Sequence, residues 1–375
     1  MSPARRAEIV GAGFAGLSAA CALAQRGWQV RVHERADELR TTGAGIYIYE
    51  NGLRVLRALG AFEEAVEGAP FAHTRQVRDE HDRVLSVHRW DTRTRVLSIV
   101  RQQVINALAS AARRSGAEIV TRSEAVAATP DGGVSFADGS AAAADLVVAA
   151  DGTGSRLRDG LGLVATRRAL ADGAIRLLIP KLADEPPDDG TTIEYWSGSR
   201  RILYTPCGQS EVYVALTMLD RDAVAKATPI QTAAWKAWFP HLAGLIDRIG
   251  DRGRYDRFEY IRLRRWSAGR VAVLGDAAHA LPPNIGQGAG CAMMNALSLA
   301  VHLDRHGDIA SGLAQWERNE RPLTEHTQRV SVLLGLPTTW PAPLRRLAFR
   351  LAGRSTWVVR QRTRTAHHRP TGTTE

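Results

Sequence analysis

The stretch Ala7–Arg35, AEIVGAGFAGLSAACALAQRGWQVRVHER, decides the fold, because it reads as strand, glycine turn, helix and second strand in unbroken order. Ile9 and Val10 close a short apolar run, and Gly11, Gly13 and Gly16 follow at GxGxxG spacing, with Ala12, Phe14 and Ala15 between them. The three glycines serve different ends. Gly11 makes a tight turn, Gly13 lets backbone amides approach a pyrophosphate, and Gly16 allows close helix–strand packing. Leu17, Ala20, Cys21 and Ala24 recur at helical spacing, so the turn opens a helix whose positive end faces the phosphates. Gln29–His33 reads as the second strand. Glu34 at its end is placed to accept hydrogen bonds from adenosine ribose hydroxyls, and Arg35 beside it is a weak pointer to a 2′-phosphate. A GxGxxG alone is common; the full strand, helix, strand and acid order outweighs coincidence.

At 375 residues the chain can form one large or two closely joined domains, and 45% hydrophobic with 23% charged residues excludes a disordered or fibrous chain. No apolar run is long enough to span a bilayer, and Met1–Arg6 leads straight into the first strand, so a cytoplasmic location is expected. The formal charge is +10, but arginines are scattered among acids. That pattern fits a surface attracting anionic substrate and cofactor better than one binding nucleic acid. Cys21, Cys207 and Cys291 lie far apart with no CxxC pair, which reads as small buried residues rather than a disulfide framework or metal site.

Gly43 and Gly45 mark a sharp turn able to bring backbone against a flat ring. Ile46 and Ile48 then alternate with Tyr47 and Tyr49, one pair facing the core and the other a cleft or solvent, before a helix from near Asn51. Val77–Ser86 and Thr94–Val100 read as paired strands, and Arg101 starts an amphipathic helix carrying Val104, Leu108 and Ala112. Ala117–Val120 is a strand, and Ser123–Val134 a hairpin turned by PDGG. ADLVVAADG delivers Asp151 and Gly152 to the C-terminal edge of a buried strand, where open α/β sheets bind ligands. Alternation in Ala174–Ile179, Thr191–Trp196, Arg201–Thr205 and Val212–Leu216 predicts an antiparallel sheet. RVAVLGDAAHALPPNIGQGAG then returns to an apolar strand ending at Asp276, a Pro–Gly loop and a helix over Gly288–Leu303.

The GAGFAG turn, the ADG corner, and LGDAAH followed by Pro283, Gly286, Gln287 and Gly288 together resemble the flavin motifs of the aromatic hydroxylases related to para-hydroxybenzoate hydroxylase. The resemblance covers most of the chain and implies an α/β fold. A Rossmann-like FAD-binding domain, a parallel sheet with helices, would occupy residues 1–73, 101–166 and 266–335. A mainly antiparallel substrate domain would occupy 74–100 and 167–265, with a basic C-terminal helix and tail over 336–375. It implies tightly bound FAD, with NADH or NADPH visiting transiently. By resemblance Asp276 binds the ribityl chain, Asp151 serves both flavin and pyridine nucleotide, and Arg101 contacts the ribityl or phosphate region. Gly45, Ile46, Val126, Gly286, Gln287 and Ala289 join that set, and Pro283 lies against the reactive edge of the ring. The helix beginning at Gly288 favours negative charge on the N1 and O2 edge of reduced flavin.

Within that family the chain most resembles the oxygenases of 2-methyl-3-hydroxypyridine-5-carboxylate and 5-pyridoxate, through GAGIYIYENGLRVLRALGA, RILYTPC with EVYVAL, and GQGAGCAMMNALSL. This implies monooxygenation of a small hydroxylated aromatic or N-heteroaromatic carboxylate with O2, through a flavin C4a-hydroperoxide, with or without ring opening. Arg201 and Tyr213 are then expected in the substrate pocket, where an arginine fork and a phenol suit a carboxylate and an ionised hydroxyl. Against this, Arg201 reads equally well as a surface strand residue and Tyr213 as sheet packing. Phe258 stands where those relatives offer a tyrosine, and His279 within GDAAH reads as packing rather than catalytic. A reductase or halogenase on the same scaffold, or a non-catalytic FAD-binding regulator, are the other readings, although no WxWxIP-like stretch is present. Leu344, Leu347, Ala348 and Leu351 form an apolar helix face expected to pack on this chain or a twin subunit, in a monomer or homodimer without stable membrane association. The tail after Arg360 is expected to be loose.

Overall fold

Two sheets organise the chain, and a different rule of burial builds each. The computed structural model describes residues 4–39, 44–90, 94–182 and 190–374, so the expected turn at Gly43 lies outside the described residues. In chain order the first part contains β1 (Arg6–Val10), α1 (Phe14–Ala24), β2 (Gln29–His33), β3 (Gly45–Tyr49), α2 (Glu50–Ala58) and α3 (Phe62–Val66). Next come β4 (Thr74–Asp79), β5 (Val84–Arg89), β6 (Val96–Val100), α4 (Arg101–Arg114), β7 (Glu118–Val120), β8 (Ala125–Ala128), β9 (Gly133–Phe136) and β10 (Ala141–Ala143). The middle holds β11 (Leu146–Ala149), α5 (Arg156–Gly160), β12 (Val164–Pro180), β13 (Thr191–Ser197), β14 (Arg200–Cys207), β15 (Glu211–Leu219), α6 (Thr232–Trp238) and α7 (Ala243–Ile249). The chain ends through β16 (Tyr255–Leu263), β17 (Ser267–Ala268), β18 (Val271–Val273), α8 (Asp276–His279), α9 (Gly288–Arg305), α10 (Ile309–Gly335), α11 (Ala342–Arg354) and α12 (Thr356–Thr363).

The first sheet has the order β17-β18-β11-β1-β2-β7 and is parallel except where β17 meets β18. Its central strands LVVA and VAV are buried throughout, as expected where helices cover both faces of a parallel sheet. Helix α1 is buried from Phe14 to Leu23 because α4 and α9 both pack on it. The second sheet has the order β16-β12-β15-β14-β13-β4-β5, antiparallel apart from the β13–β4 pair. One face buries Ile175, Ile193, Ile202, Val214 and Leu216 against Trp235, Phe239 and Ile246 of α6 and α7. The opposite face looks back toward the parallel sheet.

Two expectations are corrected. Val77–Ser86 is a hairpin rather than one strand: the Asp79 carboxylate accepts the amides of His81 and Arg83 at 3.0 Å each, and Asp82 adopts a φ of 62°. These local bonds turn the chain where apolar patterning alone continues it. In consequence β4 pairs with β5, and β6 pairs with β3 instead. The C-terminal tail is also ordered. The Thr365 hydroxyl bonds that of Thr327 at 2.6 Å, Thr371 donates to Glu320 at 2.9 Å, and Ala366 is fully buried. Polar threonines find partners along α10 that composition does not reveal. By contrast Leu344, Leu347 and Leu351 of α11 remain exposed, while Arg345 and Phe349 pack on Trp196. Among the described residues no helix is long and apolar enough to cross a membrane, and no group of His, Cys, Asp or Glu suits a metal ion.

Candidate active site

A cavity of about 340 Å³ lies between the two sheets. Four separated segments bring Gly13, Phe14, Ala15, Gly45, Ile46, Arg101, Asp276, Pro283, Gly286, Gly288 and Ala289 to its wall. Gly11 has a φ of +99°, and a Cβ there would lie 2.4 Å from the Ala150 carbonyl oxygen. This contact draws the β1 turn against the end of β11, where Asp151 follows. At Gly13 an added Cβ would meet nothing within 4 Å, so the mouth of the turn is open on the cavity side.

The remaining expected cofactor residues stand around this wall rather than in it. Glu34 accepts the amides of Ala12 and Ala36 at 3.0 Å each, fixing the loop after β1 to the end of β2. Arg35 is exposed, and Val126 is half-buried on β8 in a side hairpin. Asp151 has a buried Oδ1 without a hydrogen-bond partner among the described residues; burial raises its pKa, opposed by Ser155. Gln287 turns inward: its Oε1 accepts from Asn51 at 3.4 Å, tying α9 to α2, and its Nε2 is unpartnered. Gly16 packs within α1, where a Cβ would lie 1.9 Å from the Gly11 carbonyl.

These features fit a flavin dinucleotide. The Asp276 carboxylate is exposed only in the sense that it faces the cavity; surrounding protein raises its pKa, with Arg101 and then Arg176 opposing. Arg101 starts α4, lies with its guanidinium carbon 5.0 Å from the Phe14 ring, and has an unpartnered Nε. Asp276 would hold ribityl hydroxyls, Arg101 an anionic part of the cofactor, and the first amides of α9 the electron-rich edge of the ring. Each group is a donor or acceptor that the protein itself leaves unsatisfied or open.

The far wall is one face of the second sheet. Cross-strand registers set Arg176, Ala215, Leu203 and Glu194 in one row and Ala174, Thr217 and Arg201 in the next. All seven line the cavity. Arg201 is buried and donates to Glu194 at 3.3 Å, Asn284 at 3.3 Å and Asp172 at 3.2 Å, leaving only Nε unpartnered. Arg75 pairs with the other oxygen of Glu194, and Arg176 lies 3.9 Å from Asp256. Burial acts to raise the Glu194 pKa but is outweighed by Arg75, Arg201 and Arg362, so the carboxyl stays below its ordinary range. Arg201 thus lines the cavity with its charge already balanced. Two of the protein's own acids, Glu194 and Asp172, accept from its terminal nitrogens.

Tyr213 lines the cavity and lies against Gly45, where a Cβ would approach its ring to 2.7 Å. Burial raises its pKa, opposed by Arg176 and Arg101, so the phenol keeps its proton at neutral pH. Tyr47 and Tyr49, not the isoleucine Ile48, face the cavity; Tyr47 bonds Thr205 and Thr192. Trp90, Glu194, Asn284 and Arg362 are wall residues that sequence reading missed. Period-two alternation in β13 carried a signal for Thr192 and Glu194; nothing local marks Arg362, which arrives on α12. His279 is buried beside Trp266 and Asn295, and burial lowers its pKa to about 4, a packing role as read from the sequence.

A dinucleotide sheet and an antiparallel sheet share one cavity, and the family and relatives that match this chain make it a FAD-dependent aromatic monooxygenase. Residues 6–322 match the FAD binding domain family, and the chain belongs to it. A 2-heptyl-3-hydroxy-4(1H)-quinolone synthase of Mycobacteroides abscessus is 42% identical over 93% of this chain and 95% of its own. A Rhodococcus erythropolis protein provisionally assigned the same activity is 44% identical, covering 99% of this chain and 98% of its own. The tetrameric form of 2-methyl-3-hydroxypyridine-5-carboxylic acid oxygenase superposes with a TM-score of 0.89 at 36% identity, covering 99% of this chain and 98% of that one.

Proposed function

We propose that this monooxygenase hydroxylates a neutral, oxo-substituted N-heteroaromatic ring of the 2-alkyl-4-quinolone type at C3, with NADH or NADPH as the electron source. One observation carries the reading: Arg201 is held by Glu194 and Asp172, and Arg75 by the same Glu194. Drawing Arg201 away to bind a substrate carboxylate would leave Asp172 without its cation, while Glu194 would keep Arg75. A neutral ring needs no such exchange. The likeness to the quinolone synthases supports the same choice.

Bound FAD supplies the activated oxygen. One atom of O2 enters the ring C–H bond as hydroxyl, the other leaves as water, and NAD(P)H provides two electrons. C3 of a 4-quinolone is nucleophilic because the ring nitrogen and the 4-oxygen share charge with it. The Tyr213 phenol, protonated at neutral pH, can donate to that oxygen, while Arg176 and Arg101 beside Tyr213 favour negative charge there. Pro283 and Ile285 carry no side-chain donor, and Leu203 and Ala215 extend the apolar wall, so the ring is held with little water around it.

A second reading, the hydroxypyridine carboxylate, is favoured by the unpartnered Nε of Arg201 and by the structural likeness. Purified protein loaded with FAD distinguishes the two. 2-Heptyl-4-quinolone is expected to stimulate NAD(P)H oxidation and to gain one oxygen atom by mass. Turnover of 2-methyl-3-hydroxypyridine-5-carboxylate alone would overturn the quinolone assignment.

A further inference from the structure

Strand β3 runs along the cavity, with Gly45, Tyr47 and Tyr49 all on its wall. At about 3.3 Å per residue, Tyr49 lies roughly 13 Å from Gly45, which is the end that touches Tyr213. Around Tyr49 a small apolar cluster collects beside two arginines, Arg75 and Arg362. Tyr49, Ala72 and Val96 form a buried cluster with Ala366, separate from the main core, and Trp90 packs against it. Trp90 meets Tyr49 edge-on at 5.5 Å. Arg362 closes this corner from α12, close enough to Tyr49 for the two to interact electrostatically and with its guanidinium carbon 5.6 Å from the Trp90 ring centre.

None of these residues is among those that fit FAD above, yet Tyr49, Ala72, Trp90, Val96 and Arg362 all line the same cavity. We propose that this corner, taken together with the quinolone reading above, is a subsite for the alkyl substituent of the substrate, with Arg362 as the end wall that sets the chain length accepted. Methylenes entering an apolar corner gain about fourfold in affinity each. A chain that reaches Arg362 must displace a guanidinium held by Tyr49, by Trp90 and by the charge of Glu194. Affinity therefore climbs with chain length and then falls.

The test uses the full chain loaded with FAD and a series of 4-quinolones bearing methyl, propyl, heptyl and undecyl groups at C2, with kcat/KM followed through the hydroxylated product. The ratio of heptyl to methyl is expected to exceed about tenfold in the wild type and to fall by at least about tenfold in Ala72→Phe, which fills the corner. Arg362→Ala is expected to raise the undecyl-to-heptyl ratio by about tenfold, because the end wall is gone. Trp90→Leu opens the same wall and carries the test where Arg362→Ala does not retain FAD. Ratios within about twofold of wild type in all retained variants would overturn the subsite while leaving the quinolone reading intact. A wild type that oxygenates no member of the series removes both.

Discussion

The two ends of the cavity are built from different material. At the cofactor end the wall is mostly backbone and small residues, Gly13, Ala15, Gly45, Gly286 and Gly288, set on turns and helix starts. At the substrate end it is side chains, Arg75, Trp90, Glu194, Arg201, Tyr213 and Arg362, drawn from separate strands and the last helix. A dinucleotide is gripped by what the main chain offers once side chains are removed. Selectivity for a ring comes from what side chains add, and in this chamber most of their charge is already balanced.

The comparison can be broken at either end. The largest effect is expected from Gly11→Val, whose Cβ would lie 2.4 Å from a carbonyl oxygen at a φ of +99°. It should lose more than about 4 kcal/mol of stability and all bound flavin, seen as loss of flavin absorbance and of a cooperative unfolding transition. At the other end, Glu194→Gln leaves Arg75, Arg201 and Arg362 facing one another. A loss of about 3–5 kcal/mol in denaturant unfolding is expected, partly restored in the double variant with Arg201→Met. Equal stability of Glu194→Gln and wild type would show that the chamber charges are not interdependent. The Glu194 carboxyl is held below its ordinary 4.5, so its stabilisation is present above that pH and is lost as pH falls through the folded value.

A smaller, pH-dependent effect separates packing from chemistry at His279. Its folded pKa is about 4 against an ordinary 6.5, so the neutral ring is preferred and its stabilisation is complete above 6.5. Between those values the unfolded chain binds the extra proton, and roughly 3 kcal/mol should be lost on acidification, a slope that His279→Gln should flatten. An unchanged slope would remove His279 as its source. The smallest effect is at Asp276, whose raised pKa means that its charge opposes folding of the FAD-free protein above the unfolded carboxylate value. Asp276→Asn should therefore make the FAD-free protein slightly more stable at neutral pH while weakening FAD binding by about tenfold. Weaker folding without a change in FAD affinity would assign Asp276 to structure alone.

How much was legible in the sequence follows the same division. The glycine turn, Asp151, Asp276 and the helix start at Gly288 could be read because each is a local requirement at fixed spacing. The antiparallel sheet was also readable, from alternation in β12 to β15. What was not readable is long-range. β6 pairs with β3 through a register no local pattern encodes, and Arg362 sits on the last helix, far in sequence from Tyr49. Arg201 lines the cavity, and its partners Asp172 and Glu194 lie on other strands of the same sheet. Only the register reveals that its charge is spent within the protein.

The most direct measurement is a titration of the FAD-loaded protein, followed through the flavin absorption spectrum, with 2-heptyl-4-quinolone and, separately, with 2-methyl-3-hydroxypyridine-5-carboxylate. The neutral quinolone is expected to perturb the spectrum at concentrations at least about a hundredfold lower than the carboxylate, because only the carboxylate must compete with Asp172 and Glu194 for Arg201. Tighter binding of the carboxylate would contradict a chamber in which Arg201 is already paired with Asp172 and Glu194.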